Sequence, residues 1–345
     1  MAKKEEKLNY KELSKALAQN GPGRLYLLWG PEDYLRDRFL EELKKAVLPE
    51  GEDDFNYRRM EGASLDLQKL MENVDAMPFM AERTLTEIRG FDINKCRDAE
   101  QQRMEKIVGD LPDYCTLVFI LDADYELDSR LKAAKSIKKY GEVIKFTSQD
   151  QSQLLPWIRR RFASMGKTIE PDAGPQLIYM SGDLMSGLIP EIEKIAASVE
   201  KDRVTKEDVT RYAHRLPEAS VFDMTDCLAN GDYDGAARLL AELQATGEPA
   251  IRTLAIIGQQ FRRLYAARLA MEEKLGSSYV AELFGIKYDF IIRKLTDAAR
   301  HFTLQGLARA VELCAEMDFR MKSSGEDDGE LLRELLVRLA VERAA

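Results

Sequence analysis

The turn after the first predicted strand, Arg24–Trp29, is the place in this chain where phosphate chemistry would be expected. A GxxxxGK[ST] loop uses consecutive backbone amides to surround phosphates and a lysine to neutralise them. This turn reads Gly30-Pro31-Glu32-Asp33. It has no lysine and no second glycine, it places two carboxylates where phosphate charge would lie, and its proline removes an amide donor. We therefore predict that it does not bind a nucleoside triphosphate.

Other motifs offer little catalytic chemistry. Gly166-Lys167-Thr168 ends like a phosphate loop, but Arg161 stands where the upstream glycine is required, and a surface turn between helices is the favoured interpretation. Asp122 ends an apolar strand, as a magnesium-binding carboxylate would. Without a phosphate loop, a surface or helix-capping role is favoured instead.

Metal sites and disulfides are not indicated. The two histidines, His214 and His301, are isolated in the sequence, and the four cysteines form no CxxC pair. No nucleophile–histidine constellation can be assembled, so we expect no metal, no cofactor and reduced thiols.

A different kind of site is suggested by Met77-Pro78-Phe79-Met80. A predicted amphipathic helix, 65–77, stops at the proline, and an alternating run typical of a strand starts at Thr84. Proline disfavours helical geometry in the residue before it, so Phe79 and Met80 lie on a short, stiff corner. They can pack into their own core or into a pocket of another protein. On the residues alone, the core is favoured.

Composition describes an ordinary globular protein. The chain has 345 residues, 45% of them hydrophobic and 32% charged, which suggests two or three domains. No apolar run is long enough to span a membrane, and the polar N-terminal stretch does not resemble a secretory signal, so we expect a cytoplasmic location. The net charge of −9 makes the chain a poor candidate for a protein that binds DNA on its own, although it could touch DNA as part of an assembly.

The first 147 residues alternate predicted strands and helices. Helical crossovers between strands imply a three-layer α/β domain with a mostly parallel five-stranded sheet, predicted over 1–147. The remaining strands are predicted at 55–60, 83–89, 115–121 and 142–146. Pro31 is expected to be the first residue of the following helix.

After Thr147 the pattern is predicted to be all helical. Four helices over 148–214 form a small lid, and the helices of 215–345 form a bundle or collar. Thr205 and Asp208 have the spacing of a capping box, and Pro190 predicts a kink or break in its helix. Two arginine clusters, Arg159-Arg160-Arg161 and Arg262-Arg263, are expected to be solvated faces, with DNA phosphates or an acidic neighbouring subunit as the alternative.

Several motifs in order resemble the delta-subunit family of the bacterial DNA polymerase III clamp loader. They are LYLLWGPEDYL at 25–35, MPFMAERTL at 77–85, GDLMSGLIPEIEKIA at 182–196, VTKEDV at 204–209, the long segment 219–265 and MDFRMKSSG at 317–325. The resemblance covers nearly the whole chain. Departures are Met80, where a second aromatic residue is frequent, together with Cys227 and Pro190.

The resemblance implies an AAA+ (RecA-like) domain without a Walker A loop, followed by a lid and an oligomerising collar. It implies a non-catalytic subunit of a DNA polymerase holoenzyme that binds the sliding clamp and opens its ring for loading onto primed DNA. Met77, Pro78, Phe79 and Met80 become the clamp-contacting residues. The implied partners are the sliding clamp (beta), the gamma/tau and delta prime subunits, and DNA within the assembled complex. The alternatives are an ATP-hydrolysing AAA+ protein and a helical adaptor outside replication.

Overall fold

A computed structural model describes residues 10–48 and 55–344. The chain forms two compact units. The first runs to Ser148 and includes residues 184–186, and the second comprises Gln149–Asp183 and the chain from Gly187 onward. The division into three domains remains a prediction.

The first unit contains a five-stranded sheet, as predicted. Its order is β2-β3-β4-β1-β5, and every neighbouring pair is parallel. Strand β4 is buried along its whole length, as expected for a strand covered on both faces. The strands are β1 (Leu25–Trp29), β2 (Tyr57–Glu61), β3 (Thr84–Arg89), β4 (Cys115–Ile120) and β5 (Glu142–Lys145).

Helices cover both faces of this sheet. Leu25 and Leu27 of β1 pack with side chains of α3, α4 and α5, whereas Tyr26 points to the opposite face and contacts Phe39 of α2 edge-on. This alternation follows from the two-residue period of a strand and confirms the three layers. The helices are α1 (Tyr10–Asn20), α2 (Asp33–Val47), α3 (Leu67–Asp75), α4 (Asp98–Gly109) and α5 (Lys132–Tyr140).

The first part of the second unit is mainly helical, as predicted after Thr147, but it also contains two short strands that the sequence did not predict. Two short strands pair in parallel. Each has only two residues, too few to give a periodic signal. The elements are α6 (Gln151–Ser164), β6 (Thr168–Ile169), α7 (Ala173–Ser181), α8 (Met185–Ser198), β7 (Arg203–Val204) and α9 (Lys206–Tyr212). The first two residues of α8, Met185 and Ser186, belong to the first unit.

The predicted capping box at the start of α9 is confirmed. The Thr205 hydroxyl accepts a hydrogen bond from the amide of Asp208 at 3.2 Å, and the Asp208 carboxylate accepts one from the amide of Thr205 at 2.9 Å. Pro190 was predicted to kink or break its helix; it lies inside the continuous helix α8, so a break is absent.

The rest of the second unit is a helical bundle around one large apolar core. The central helix, α12, contributes ten buried residues. Gly231 and Gly285 adopt left-handed conformations at the ends of α10 and α13, where glycine has little steric penalty. The helices are α10 (Pro217–Asn230), α11 (Tyr233–Ala245), α12 (Ala250–Glu272), α13 (Ser277–Phe284), α14 (Asp289–Ala299), α15 (Leu304–Ser323) and α16 (Asp328–Ala344).

A polar cluster joins α7 to this bundle. The Tyr179 hydroxyl donates to Asp223 of α10 at 2.5 Å, and Arg215 pairs with the other oxygen of the same carboxylate at 3.0 Å. The Lys294 ammonium lies 3.8 Å from the centroid of the Tyr179 ring. Burial raises the pKa of the nearby Asp226 carboxyl to about 6. These contacts give a reason why the predicted lid and collar segments form one compact unit.

Candidate functional site: an exposed apolar corner

The corner between α3 and β3 forms because its backbone cannot continue either element. Helix α3 ends at Asp75, two residues before the predicted end, and Ala76 is extended. Met77 precedes Pro78 and is thereby restricted to extended geometry. Strand β3 begins at Thr84, where the alternating pattern predicts it.

The side chains of this corner lie at the surface. Met77 is 80% exposed, Phe79 55% and Met80 89%. The interpretation that Phe79 and Met80 plug their own core is therefore wrong, because core side chains lose nearly all contact with solvent. Adjacent exposed apolar residues of this size are typical of surfaces that bind another protein.

Met80 adopts an unusual backbone conformation. Its φ is 53°, and among the described residues Lys274 is the other non-glycine residue with a positive φ. A left-handed conformation is uncommon for a residue with a β-carbon and persists where the surrounding structure imposes it. The corner is therefore a defined turn that leaves the Met80 side chain at the surface.

Asn56 holds the backbone of Phe79. Its side-chain amide donates to the Phe79 carbonyl at 2.8 Å and accepts from the Phe79 amide at 2.8 Å. Asn56 itself is only 1% exposed. Both peptide groups of Phe79 are thus satisfied by one buried side chain, which fixes the residue that carries the exposed ring.

Phe55 enlarges the apolar surface. It lies two residues before β2, it is 61% exposed, and its ring centroid is 5.1 Å from that of Phe79. Sequence reasoning assigned Phe55 to a strand and gave no role to Asn56. The local signal was a polar residue between an aromatic residue and a strand, which does not reveal a partner 23 positions away.

Further hydrogen bonds hold the two ends of the corner. The Tyr114 hydroxyl donates to the Asp75 carbonyl at 2.8 Å, and Arg58 donates to the Asn73 carbonyl at 3.1 Å. Both satisfy carbonyls in the last turn of α3 that have no helical partner. After the corner, Arg83 donates to the carbonyls of Pro22 and Asp113 at 3.1 and 3.0 Å. The backbone is thereby fixed on both sides of the exposed side chains.

The degenerate phosphate turn has a different construction. Gly30 has a φ of 112°, and a β-carbon added there would overlap the carbonyl oxygen of Phe146. Helix α2 begins at Asp33, with Glu32 as its N-cap residue. The expectation that Pro31 is the first helical residue is therefore wrong. Pro31 lies in the turn, where its fixed φ is equally acceptable.

Glu32 is fully buried in this turn. Its amide donates to the Phe146 carbonyl at 3.2 Å, and its carboxylate accepts from the amide of Met185, a residue of the same unit, at 3.1 Å. The carboxylate and the amide of Glu32 thus form hydrogen bonds within the protein. In a phosphate loop, by contrast, the backbone amides remain open to a ligand.

Lys167 of the second glycine-containing turn also has an internal role. Its ammonium donates to the carbonyls of Val199, Glu200 and Lys201 at 2.7, 3.3 and 2.9 Å. These carbonyls follow the end of α8, where a cation also complements the helix dipole. The favoured interpretation, a surface turn between helices, is right for Gly166 and Lys167, but Thr168 begins β6, so the turn joins a helix to a strand.

The arginine clusters are only partly available for contact. Arg161 pairs with Glu193 at 2.9 Å, and the Arg263 guanidinium lies over the Phe284 ring at 6.0 Å. Burial lowers the pKa of Arg263. Arg159, Arg160 and Arg262 are exposed.

No metal-binding cluster is present among the residues that the structure describes. They contain no group of three or more histidine, cysteine or acidic side chains that could hold a metal ion. The four cysteines are free thiols, and burial raises the pKa of Cys115 to about 11 and that of Cys314 to about 12, so both are poor nucleophiles. No helix in the described ranges is long and apolar enough to cross a membrane.

Comparison with known proteins gives consistent matches along the chain. Two family models match it, "DNA polymerase III, delta subunit" at residues 26–147 and "DNA polymerase III delta subunit, C-terminal domain" at residues 218–339. The DNA polymerase III subunit delta of Bacillus subtilis (strain 168) is 24% identical over 336 residues, covering 95% of this chain and 96% of that protein.

Two further relatives agree with these matches. The probable DNA polymerase III subunit delta of Aquifex aeolicus (strain VF5) is 22% identical over 321 residues, which is 91% of this chain and 90% of that protein. Among solved structures, the DNA clamp loader delta protein of Bacillus subtilis matches with a TM-score of 0.56 and 22% identity, covering 96% of this chain and 99% of that structure. This structural likeness supports the fold.

Proposed function

The chain belongs to the DNA polymerase III delta subunit family, and we propose that it uses the exposed corner at Met77–Met80 to grip the sliding clamp and open its ring. Membership in this family makes the chain a component of the clamp loader of DNA replication. The observation that carries the corner's role is the exposure of Phe79 and Met80 on a fixed backbone. Fully burying one such side chain contributes about 1.5–3 kcal/mol.

Opening follows from differential binding. A ring with a strained interface is shifted toward its open form when a partner binds the open form more tightly than the closed one. Rigid side chains suit this task, because little of the binding free energy is lost in ordering them. The α/β unit presents the corner, and we propose that the C-terminal helices contact the gamma/tau and delta prime subunits.

We further propose that the subunit has no ATPase activity of its own. The turn at Gly30–Asp33 lacks a phosphate-binding lysine, and its Glu32 carboxylate is buried and hydrogen-bonded within the unit. Nucleotide hydrolysis would then belong to other subunits of the assembly. DNA contact would occur within the assembled complex in the cytoplasm, and Arg159, Arg160 and Arg262 are the exposed members of the two arginine clusters.

A binding experiment with the clamp from the same organism tests the proposal. The full chain is titrated against the closed clamp and against a clamp subunit altered so that it cannot form the ring. If binding drives opening, the unclosed subunit binds at least about tenfold more tightly, because no interface has to be broken. Equal affinity for both forms would contradict ring opening, and absence of binding to both would contradict the contact itself.

A further inference from the structure

Phe55 and Phe79 form one aromatic surface, although they are far apart in sequence. Their centroids are 5.1 Å apart, with the ring planes inclined by 39°, an arrangement favoured by aromatic pairs. The parallel pairing of β2 with β3, in which Tyr57 is aligned with Leu85, brings the two rings together. Both remain more than half exposed, so the pair presents its outer surface to solvent.

Asn56 connects this aromatic pair to the sheet. Its carbonyl accepts from the amide of Leu85 at 2.8 Å, which ties its backbone to β3, and its side chain bonds both peptide groups of Phe79. One buried residue thus fixes the position of Phe79 through its side chain and that of its neighbour Phe55 through its backbone. Such fixation removes the ordering cost that a mobile loop would incur on binding.

We propose that Phe55 is a further clamp-contacting residue and that Asn56 is the residue that positions the contact surface. This inference rests on the proposed function of the corner. The partner site is an apolar pocket on one clamp subunit, wide enough for two adjacent aromatic rings, with the flexible thioether of Met80 filling its margin. Aromatic and methionine side chains are enriched at the centres of such contacts.

The affinity of the full chain for the clamp separates these roles. Phe55→Ala and Phe79→Ala should each raise Kd about tenfold, as expected for anchors of a small interface. The matched control is Phe319→Ala, because Phe319 is 70% exposed on α15, and it should leave Kd unchanged. A Phe55→Ala variant that binds as well as the wild type, while Phe79→Ala binds about tenfold more weakly, would overturn the role of Phe55 alone. An unchanged Kd for Phe79→Ala would overturn the whole contact surface, including the proposed function of the corner.

A double-mutant cycle tests Asn56. Asn56→Ala should raise Kd about tenfold. In that background Phe79→Ala should raise Kd much less, because the Phe79 ring is no longer held in its binding position. If the double variant raises Kd by the product of the two single-variant factors, the two residues act independently, and this would overturn the positioning role of Asn56.

Hydrogen exchange shows whether Asn56→Ala acts only at the corner or destabilises the whole sheet. In Asn56→Ala, the backbone amide of Phe79, which donates to the Asn56 side chain, should lose protection, while the amides of β4 keep it. Loss of protection that spreads through β4 would show that Asn56 supports the sheet as a whole, and would overturn its assignment as a positioning residue.

Discussion

The corner at Met77–Met80 and the turn at Gly30–Asp33 are both short connections fixed by hydrogen bonds, but they differ in where their side chains are used. At the corner, Asn56 satisfies the backbone, and Phe79 and Met80 stay exposed. At the turn, the Glu32 side chain is itself buried and bonded. A connection can bind a partner only through side chains that are not already buried or hydrogen-bonded within the fold. The corner is therefore suited to binding, and the turn to holding the structure together.

The largest effect is expected at Gly30. Gly30→Ala should lower the free energy of unfolding by about 3 kcal/mol or more, since the new methyl group would overlap Phe146 and φ is positive. Denaturant titration measures this loss. Gly166→Ala is the matched control, because Gly166 also has a positive φ but open space around it, and it should lose only about 1 kcal/mol. Equal losses would mean that the turn is not closely packed.

The corner should show the opposite behaviour. Replacing Phe79 and Met80 together by alanine should weaken clamp binding by about 2 kcal/mol or more, roughly a thirtyfold rise in Kd. The melting temperature of this double variant should stay close to that of the wild type, because both side chains are exposed. Calorimetry of binding and of unfolding on the same samples separates the two effects. A collapse of thermal stability would place these side chains in the core after all.

Glu32 should behave as a structural residue. Glu32→Ala removes the acceptor of the Met185 amide and should lower the free energy of unfolding by about 1–3 kcal/mol. Glu32→Gln retains an acceptor oxygen and should lose less. Clamp affinity, measured well below the melting temperature, should be the same for both variants and the wild type. A selective loss of clamp affinity would contradict the separation of the two regions.

The smallest expected effect is that of nucleotide. Adding ATP with magnesium to the isolated chain should change neither its melting temperature nor its clamp affinity, because a ligand that does not bind the folded state cannot stabilise it. A thermal-shift titration up to millimolar ATP measures this. A rise in melting temperature with ATP concentration would show that the turn at Gly30–Asp33 still binds phosphate.

Much of the fold follows from local pattern. The apolar run of β4 predicted a strand buried on both faces, and Pro78 predicted the end of a helix near Met77. The first and last residues of helices and strands were predicted less accurately. Helix α3 begins at Leu67 and not at Leu65, and β2 begins at Tyr57 and not at Phe55. Such shifts arise because hydrogen bonds at the ends of elements depend on neighbours outside the local pattern.

The sequence by itself determined that an apolar Met-Pro-Phe-Met segment lies between a helix and a strand, and that the Gly30 turn lacks the lysine of a phosphate loop. Only the tertiary structure decided that Phe79 and Met80 face solvent, that Asn56 fixes the backbone of Phe79, and that Phe55 lies beside the Phe79 ring. The reason is physical. Periodicity records which face of an element is apolar, whereas exposure and long-range hydrogen bonds depend on which strands pair, and the pairing of β2 with β3 brings residues 55 and 56 to residue 79.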